Sequence, residues 1–163
     1  MAIELGRLRP LKIIGLEISR TFVDIARGNA QDAGVDIEFR EGDVASMPFE
    51  DGSFDFLMCT SSFKNFSEPQ RALNEMYRVL KVGAKGWISD LRHDVSDTTI
   101  NGFVKNEMKM RGLAGALMRY SFRRMLRPRA LTQAQFEELI SRTPFKKATI
   151  TENEMELEVL LEK

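Results

Sequence analysis

Short apolar runs alternate with helical patterns along the first ninety residues of the chain. The runs predict strands at residues 11–16, 37–39, 54–59 and 86–89. Helices are predicted between them, each with a capping box at its start, where Asp24 follows Thr21 and Gln70 follows Ser67 by three residues. Strands and helices that alternate at this spacing indicate an α/β fold with a doubly wound, mostly parallel sheet.

Gly34 and Gly83 are predicted to end these two helices, and Ser19 is the alternative cap of the first. From about Ser96 to Arg129 the strand pattern gives way to helical spacing, in two pieces broken near Gly112. A further helix is predicted to begin at a third capping box, in which Gln135 follows Thr132 by three residues, and to run to about residue 141.

The end of the chain has a different polarity pattern. Residues 147–151 and 155–159 predict two strands joined by a tight turn near Asn153, and the second strand alternates strictly between apolar and polar positions. This alternation is typical of an antiparallel hairpin with one face in solvent. With 163 residues, the chain fits a single domain, 1–163, with a helical insertion or lid at about 96–129.

Composition narrows the class of protein. Twenty-four basic residues balance twenty-four acidic ones, so no global charge favours nucleic acid. Cys59 is the single cysteine, which excludes an internal disulfide and suits a reducing compartment. No apolar run approaches the roughly 20 residues that cross a bilayer, and residues 1–4 do not resemble a signal peptide. A soluble, cytoplasmic protein without an integral membrane segment is expected.

Two carboxylates follow the first two predicted strands. Glu17 ends the first strand, where a carboxylate can accept hydrogen bonds from both hydroxyls of a ribose. Asp43 follows the second strand, where it could accept from the amine of a nucleobase, with Ile18 and Val44 as apolar neighbours. Taken singly, Glu17 is also explained as a solvated or capping side chain, and Asp43 as a turn residue or helix cap.

Four stretches of the chain resemble class I S-adenosylmethionine-dependent methyltransferases, particularly the small-molecule branch typified by enzymes of ubiquinone and menaquinone biosynthesis. They are residues 14–19, 42–49, 53–56 and 75–81. The resemblance implies a Rossmann-like fold, S-adenosylmethionine as cofactor and a small-molecule acceptor. It also implies that Glu17 holds the cofactor ribose and Asp43 the adenine amine, with Ile18 and Val44 lining the ring.

The same resemblance suggests roles further along the chain. The strand end at Thr60 would pass the methionine portion of the cofactor, and Asn65 in the following loop is a candidate for the acceptor side. Independently of the resemblance, His93 is the only histidine and follows the fourth strand at the ligand edge, where a general base could sit. Asn65 is otherwise a loop amide, and His93 a surface histidine. No metal site and no nucleophile are predicted, which suits direct displacement at a sulfonium, where positioning suffices.

One family element is not found in the sequence. The family opens with a strand and a Gly-x-Gly loop, and residues 1–8 instead resemble the helix that follows that loop. The first strand is therefore expected to be missing. Either its two neighbours pair directly, or a second chain supplies a strand in a homodimer, or the sequence is truncated. A non-catalytic, methyltransferase-derived scaffold is the alternative function, and a nicotinamide enzyme, which also needs a Gly-rich turn, is a fainter one.

The segment 103–129 carries an unusual charge. It holds eight basic side chains and one acid, Glu107, interleaved with methionines and aromatics. Three interpretations remain open: a lid over an anionic or lipid-like substrate, a basic amphipathic helix on a membrane surface, and a solvated cationic face over an ordinary core contact.

Overall fold

The computed structural model describes residues 2–8 and 11–163. These form two units, one within residues 1–49 and the other within 50–163. The prediction of a single domain stays a prediction, and each unit is described by itself.

The first unit is a βαβ arrangement preceded by a short helix. Its elements are α1 (Ala2–Leu8), β1 (Ile13–Glu17), α2 (Arg20–Asp32) and β2 (Ile37–Glu41). The two strands are parallel, and the last residue of each, Glu17 and Glu41, are register partners. At Gly15 a Cβ atom would lie 2.6 Å from the Phe39 ring, so the ring packs directly on the β1 backbone. The parallel pairing therefore brings both strand ends to one edge of the sheet.

The second unit contains a mixed sheet. Its strands are β3 (Phe54–Thr60), β4 (Leu80–Leu91), β5 (Lys147–Glu152) and β6 (Glu156–Glu162), in the order β3-β4-β6-β5. β3 and β4 are parallel, whereas β6 is antiparallel to both β4 and β5. β6 buries Leu157, Val159 and Leu161, while most of β5 is exposed. The predicted closing hairpin with one face in solvent is confirmed.

The helices of the second unit follow the predicted pattern in outline. They are α3 (Pro69–Val79), α4 (Asp97–Gly102), α5 (Gly112–Ser121) and α6 (Gln133–Ser141), with one π-helical turn after α4 and another after α5. The break at Gly112 is confirmed, and its φ of 57° is one that glycine adopts readily. The capping box of Thr132 and Gln135 is also confirmed at the start of α6.

The predicted caps of α2 and α3 differ in outcome. The N-cap of α2 is Ser19, one of its two predicted caps, although its side chain makes no capping bond; the capping box of Thr21 and Asp24 is wrong, because Thr21 lies inside the helix. The N-cap of α3 is Glu68 rather than Ser67. In that helix Pro69 occupies the first turn, where its fixed φ suits a helix start and its missing N–H loses no bond. Proline therefore sets the start of α3 two residues beyond Ser67.

The prediction that Gly83 ends a helix is also wrong. The helix ends at Val79, and β4 begins at once with Leu80 and runs to Leu91, well beyond the predicted strand 86–89. The register with β3 shifts between Phe54 and Phe56, and Gly83, with a φ of 81°, lies in that irregular stretch of β4. The glycine serves a bulge-like irregularity in a strand, because pairing with β3 continues on both sides of it.

The strand pairings also bear on the expected missing strand. Within the described part of the chain, β1 pairs with β2 alone and β3 pairs with β4 alone. Each of these two strands thus has one edge without a strand partner among the described residues. The prediction that a first strand is missing stays a prediction. In residues 2–8 and 11–163, no helix combines the length and apolar character needed to cross a bilayer.

Candidate cofactor site

Glu17 is held at the carboxyl end of β1 by the chain that follows it. Its Oε1 accepts a hydrogen bond of 2.9 Å from the backbone N–H of Ser19, the N-cap of α2. The side chain thus lies at the start of a helix, where the macrodipole favours negative charge. Among the described residues Oε2 accepts no hydrogen bond, so one oxygen is fixed and the other is open to a ligand.

Asp43 is fixed in the same way, two residues beyond β2. Its Oδ1 accepts a hydrogen bond of 2.9 Å from the N–H of Ala45 and caps a single 3-10 turn, Val44–Ser46. The interpretation of Asp43 as a cap is therefore confirmed. Within the described residues Oδ2 has no hydrogen-bond partner, so capping leaves one oxygen for a second role.

Gly42 brings the two acids to the same place. Its N–H donates to the Glu17 carbonyl at 3.0 Å, which continues the β1–β2 pairing one residue beyond β2. A Cβ on Gly42 would lie 2.9 Å from Leu16 Cδ1 and 3.2 Å from Pro48 Cδ. A side chain at position 42 would therefore require Leu16 and Pro48 to shift, and Asp43 follows directly on the residue bonded to Glu17. The two acids lie at one edge of the sheet, as their positions after parallel strands predicted.

The apolar neighbours of the two acids differ in exposure. Ile18, directly after Glu17, is 68% exposed, and Val44, directly after Asp43, is half-buried. An isoleucine this exposed contributes little to the core of its own unit. It is available as an apolar surface beside the carboxylates, which is what the flat face of a nucleobase requires.

Thr60 belongs to the second unit, where it ends β3 and pairs with Ser89 of β4. The chain turns sharply after it. Ser61 has a φ of 55°, in the left-handed region that a serine seldom adopts, and its N–H donates to the Ser89 carbonyl at 2.7 Å. Thr60 accepts at its carbonyl from the Ser62 hydroxyl at 3.0 Å. The strand end is thus closed by a tight turn of defined backbone geometry.

A buried ion pair anchors this turn. Lys64 Nζ lies 2.8 Å from Asp90 Oδ1, and the two side chains are only 6% and 2% exposed. Asp90 Oδ2 accepts from the Lys64 backbone N–H at 2.8 Å, and the Lys64 ammonium also donates to the Ser61 carbonyl. One lysine therefore ties the turn after β3 to the end of β4.

The ion pair of Lys64 and Asp90 was not predicted from the sequence, although the position of Asp90 gave one indication of it. Asp90 directly follows the apolar β4 run, and a carboxylate buried in a strand needs a cation or several donors. Lys64 stands next to Asn65, the residue that sequence reasoning selected. Asn65 is exposed in the short turn Phe63–Asn65, and in the described residues its side chain makes no hydrogen bond. Its substrate-side role stays a prediction.

His93 is exposed but tethered. Its Nδ1 lies 3.2 Å from the Ala130 carbonyl, and its backbone N–H donates to the Leu131 carbonyl at 3.2 Å. In the tautomer with a proton on Nδ1, the ring donates to Ala130 and leaves Nε2 as an acceptor. Next to it, the hydrogen bond from Arg92 holds the pKa of Asp94 below its usual value. The role of His93 towards an acceptor stays a prediction.

Cys59 is a buried residue of β3, as expected for an apolar strand-end position. Burial raises the pKa of its thiol from 9.0 to about 12, and the negative charge of Asp90 adds to the increase. Because the folded state keeps the thiol protonated, the fold loses stability as the pH rises from the unfolded pKa of 9.0 towards 12.

We expect the Cys59 thiol to resist alkylation in the folded protein. At pH 8, iodoacetamide should react at least about 100-fold more slowly with the native chain than with the urea-unfolded chain, because the thiolate is both rare and inaccessible. Mass spectrometry of timed samples measures both rates. Equal rates would show that the thiol is exposed and its pKa ordinary.

A family model described as a methyltransferase domain matches residues 1–88, which is more than half of the chain. The chain therefore belongs to this family of methyltransferase domains, and the resemblance identified in the sequence is confirmed.

Its relatives include proteins named demethylmenaquinone methyltransferase. The chain is 35% identical over 74 residues to the demethylmenaquinone methyltransferase of Thermus thermophilus, a match of 45% of this chain and 34% of that protein. It is 38% identical over 85 residues to the demethylmenaquinone methyltransferase of Deinococcus radiodurans, covering 52% and 35% respectively. The matched part of the chain thus spans about a third of the length of these relatives.

Solved structures agree on the fold. A SAM-dependent methyltransferase from Aquifex aeolicus has a TM-score of 0.69 at 16% identity, over 93% of this chain and 68% of that one. The [4+2]-cyclase SpnF has a TM-score of 0.67 at 18% identity, over 99% and 69%. The Rossmann-like α/β fold of class I S-adenosylmethionine-dependent methyltransferases, predicted from the sequence, is confirmed.

Proposed function

We propose that this chain binds S-adenosylmethionine at the edge of its first unit and transfers the methyl group to a small-molecule acceptor. One observation carries the proposal. Glu17 and Asp43 lie at the same sheet edge, and each has one carboxylate oxygen held by a backbone N–H and one without a partner in the described residues. This pair of free acceptor oxygens fits the hydrogen-bond donors of the adenosine half of the cofactor, its ribose hydroxyls and adenine amine.

Each residue has a distinct part in the proposed binding. The free oxygen of Glu17 accepts from the ribose hydroxyls, and that of Asp43 accepts from the adenine amine. Ile18 and Val44 cover the faces of the ring. Hydrogen bonds from backbone N–H groups already hold both carboxylates in place. The side chains therefore lose less conformational entropy when the cofactor binds. The cofactor supplies a methyl group on a sulfonium, so the chain needs to position and desolvate the reactants rather than provide a nucleophile.

Three residues of the second unit have proposed roles of their own. Thr60 and the rigid turn after it would contact the methionine portion, while Asn65 and the Nε2 of His93 would face the acceptor. The names of the relatives, demethylmenaquinone methyltransferases, favour a small organic molecule as acceptor. The single cysteine and the balanced charge favour a cytoplasmic location without a nucleic-acid partner.

A second candidate is a non-catalytic scaffold. The observation that favours it is the unpartnered edge of β1 and of β3 within the described residues, since such edges pair readily with another strand. A homodimer that donates a strand would satisfy these edges. A methyltransferase-like fold does not by itself fix the reaction.

Titration calorimetry with S-adenosylhomocysteine tests the proposed function. We expect the parent chain to bind, and Glu17→Ala and Asp43→Ala each to weaken binding by about 10- to 100-fold, since each removes a charge-assisted hydrogen bond. Glu38→Ala is the matched control, because Glu38 lies near the amino end of β2, away from the carboxyl ends of the strands, and pairs with Arg40. No heat from the parent would favour the scaffold, and unaltered binding by both variants would exclude this edge as the site.

A further inference from the structure

Helix α5 has two apolar faces. Met118 packs against the core cluster built around Ile100 and Val104, and Gly115 on the same side is buried. On the other side Leu113, Leu117 and Tyr120 are 76%, 61% and 61% exposed. The first face packs the helix against the core of its unit. The second, exposed face is not needed for that packing.

The exposed residues form a stripe. At 3.6 residues per turn, positions 113, 117 and 120 fall within about 60° of arc, opposite the buried side of the helix. A surface helix usually has one apolar stripe, which faces its core. A second stripe, continuous and exposed, marks a surface that another phase or molecule covers.

Strong positive charge surrounds this stripe. Arg123 and Arg127 are paired with Asp97. In the described part of the chain, no ion pair involves the other six basic residues of the segment: Lys105, Lys109, Arg111, Arg119, Arg124 and Arg129. All of these except Arg119 are exposed, and the segment 103–129 contains one acid. The charge is therefore available to an anionic partner.

A groove beside the stripe concentrates this charge further. It has a volume of about 680 Å³ and is lined by Tyr120 and four arginines, including Arg119 and Arg124, with Asp97 as its one acid. Arginine binds phosphate oxygens with paired N–H donors. The groove has room for a phosphate headgroup, directly adjacent to exposed apolar side chains.

We propose that α5 and its flanking turns bind the surface of an anionic lipid bilayer. Leu113, Leu117 and Tyr120 insert at the boundary between headgroups and acyl chains, while Arg119 and Arg124 contact lipid phosphates. Apolar insertion combined with basic flanks is the pattern of an interfacial helix, which lies in the plane of the membrane. The exposed side chains are two aliphatics and one tyrosine, which do not form a platform for stacking bases, so nucleic acid fits the surface less well.

Vesicle flotation tests this proposal without reference to methyl transfer. The full chain should float with vesicles of equimolar phosphatidylglycerol and phosphatidylcholine, and at least tenfold less with phosphatidylcholine alone. About 1 M sodium chloride, where the Debye length is about 3 Å, should also lower binding at least tenfold. Equal binding to both vesicles, or none to either, would overturn the proposal.

Matched variants assign the binding to α5. The double variant Leu113→Asp/Leu117→Asp should bind anionic vesicles at least tenfold more weakly, whereas Val82→Asp, which alters an 88% exposed valine of β4, should stay within about twofold. If the α5 variant binds as the parent does, the apolar stripe is not the contact. Circular dichroism should confirm that both fold, as expected for exposed positions.

A second pair of variants tests the charge. Arg124→Glu/Arg129→Glu should weaken binding at least tenfold, while Lys12→Glu/Lys146→Glu, which changes net charge equally at other exposed positions, should not. An equal loss in both would mean that only net charge matters and would contradict a defined surface. Tight binding to heparin or RNA without binding to vesicles would assign the surface to a polyanion instead.

Discussion

Replacing Asp90 by alanine should lower the free energy of unfolding by about 3–5 kcal/mol, because it leaves a buried ammonium without its counter-charge. Asp90 also accepts from the backbone N–H of Lys64 and from that of Leu91, at 2.8 and 2.7 Å. The substitution therefore strips partners from three donors, two of them in the backbone. Urea denaturation of parent and variant measures the difference.

Two control variants distinguish the effect of breaking the buried ion pair from the effect of removing a charge. Lys81 and Asp55 form a pair of the same residue types at 2.7 Å, but they are 49% and 84% exposed, so Asp55→Ala should cost less than about 1 kcal/mol. The double variant Lys64→Met/Asp90→Leu removes both buried charges and should recover most of the stability lost by Asp90→Ala. A small effect of Asp90→Ala would mean that the pair is not desolvated.

Replacing Phe63 by alanine should cost a similar amount, about 3–5 kcal/mol, because it empties a filled part of the core. Phe63 is 1% exposed, and its ring centroid lies 5.2 Å from that of Phe66 and 4.9 Å from that of Phe136. It joins the turn that carries Lys64 and Asn65 to α6, so the same change should loosen the proposed acceptor side.

Thermal or urea unfolding of Phe63→Ala measures this loss. Phe56→Ala is the control, since Phe56 is a β3 residue with 52% exposure and its truncation should cost less than about 1.5 kcal/mol. Equal losses in the two variants would contradict the packing described for Phe63. If Phe63→Ala keeps its stability but no longer binds the acceptor, Phe63 contacts the acceptor directly instead.

Local pattern was sufficient to predict most strands. β1 and β3 are short, largely apolar runs, while β2 and β6 alternate between apolar and polar residues, so each carries its own signal. The Thr132 capping box was equally local, because both of its bonds lie within one helical turn. The edge position of Glu17 and Asp43 followed from these elements, since parallel strands end at the same side of a sheet.

Features that depend on distant residues could not be read in this way. β4 extends to Leu80 because β3 pairs with it, and nothing near Gly83 signals that pairing. The start of α3 is a local feature, but the sequence offered two signals for it, the capping box at Ser67 and the proline at position 69. The helix begins at Pro69. Lys64 and Asp90 are 26 residues apart, so their ion pair exists only once β3 and β4 are aligned.

Amide NMR during titration with S-adenosylhomocysteine tests whether the edge formed by Glu17 and Asp43 receives the adenosine half of the cofactor. We expect the largest amide shifts of the first unit at residues 17–19 and 43–45, and we expect Glu17→Ala to abolish them at the same ligand concentration. Saturable binding that leaves those amides unmoved, with the shifts elsewhere, would contradict this expectation.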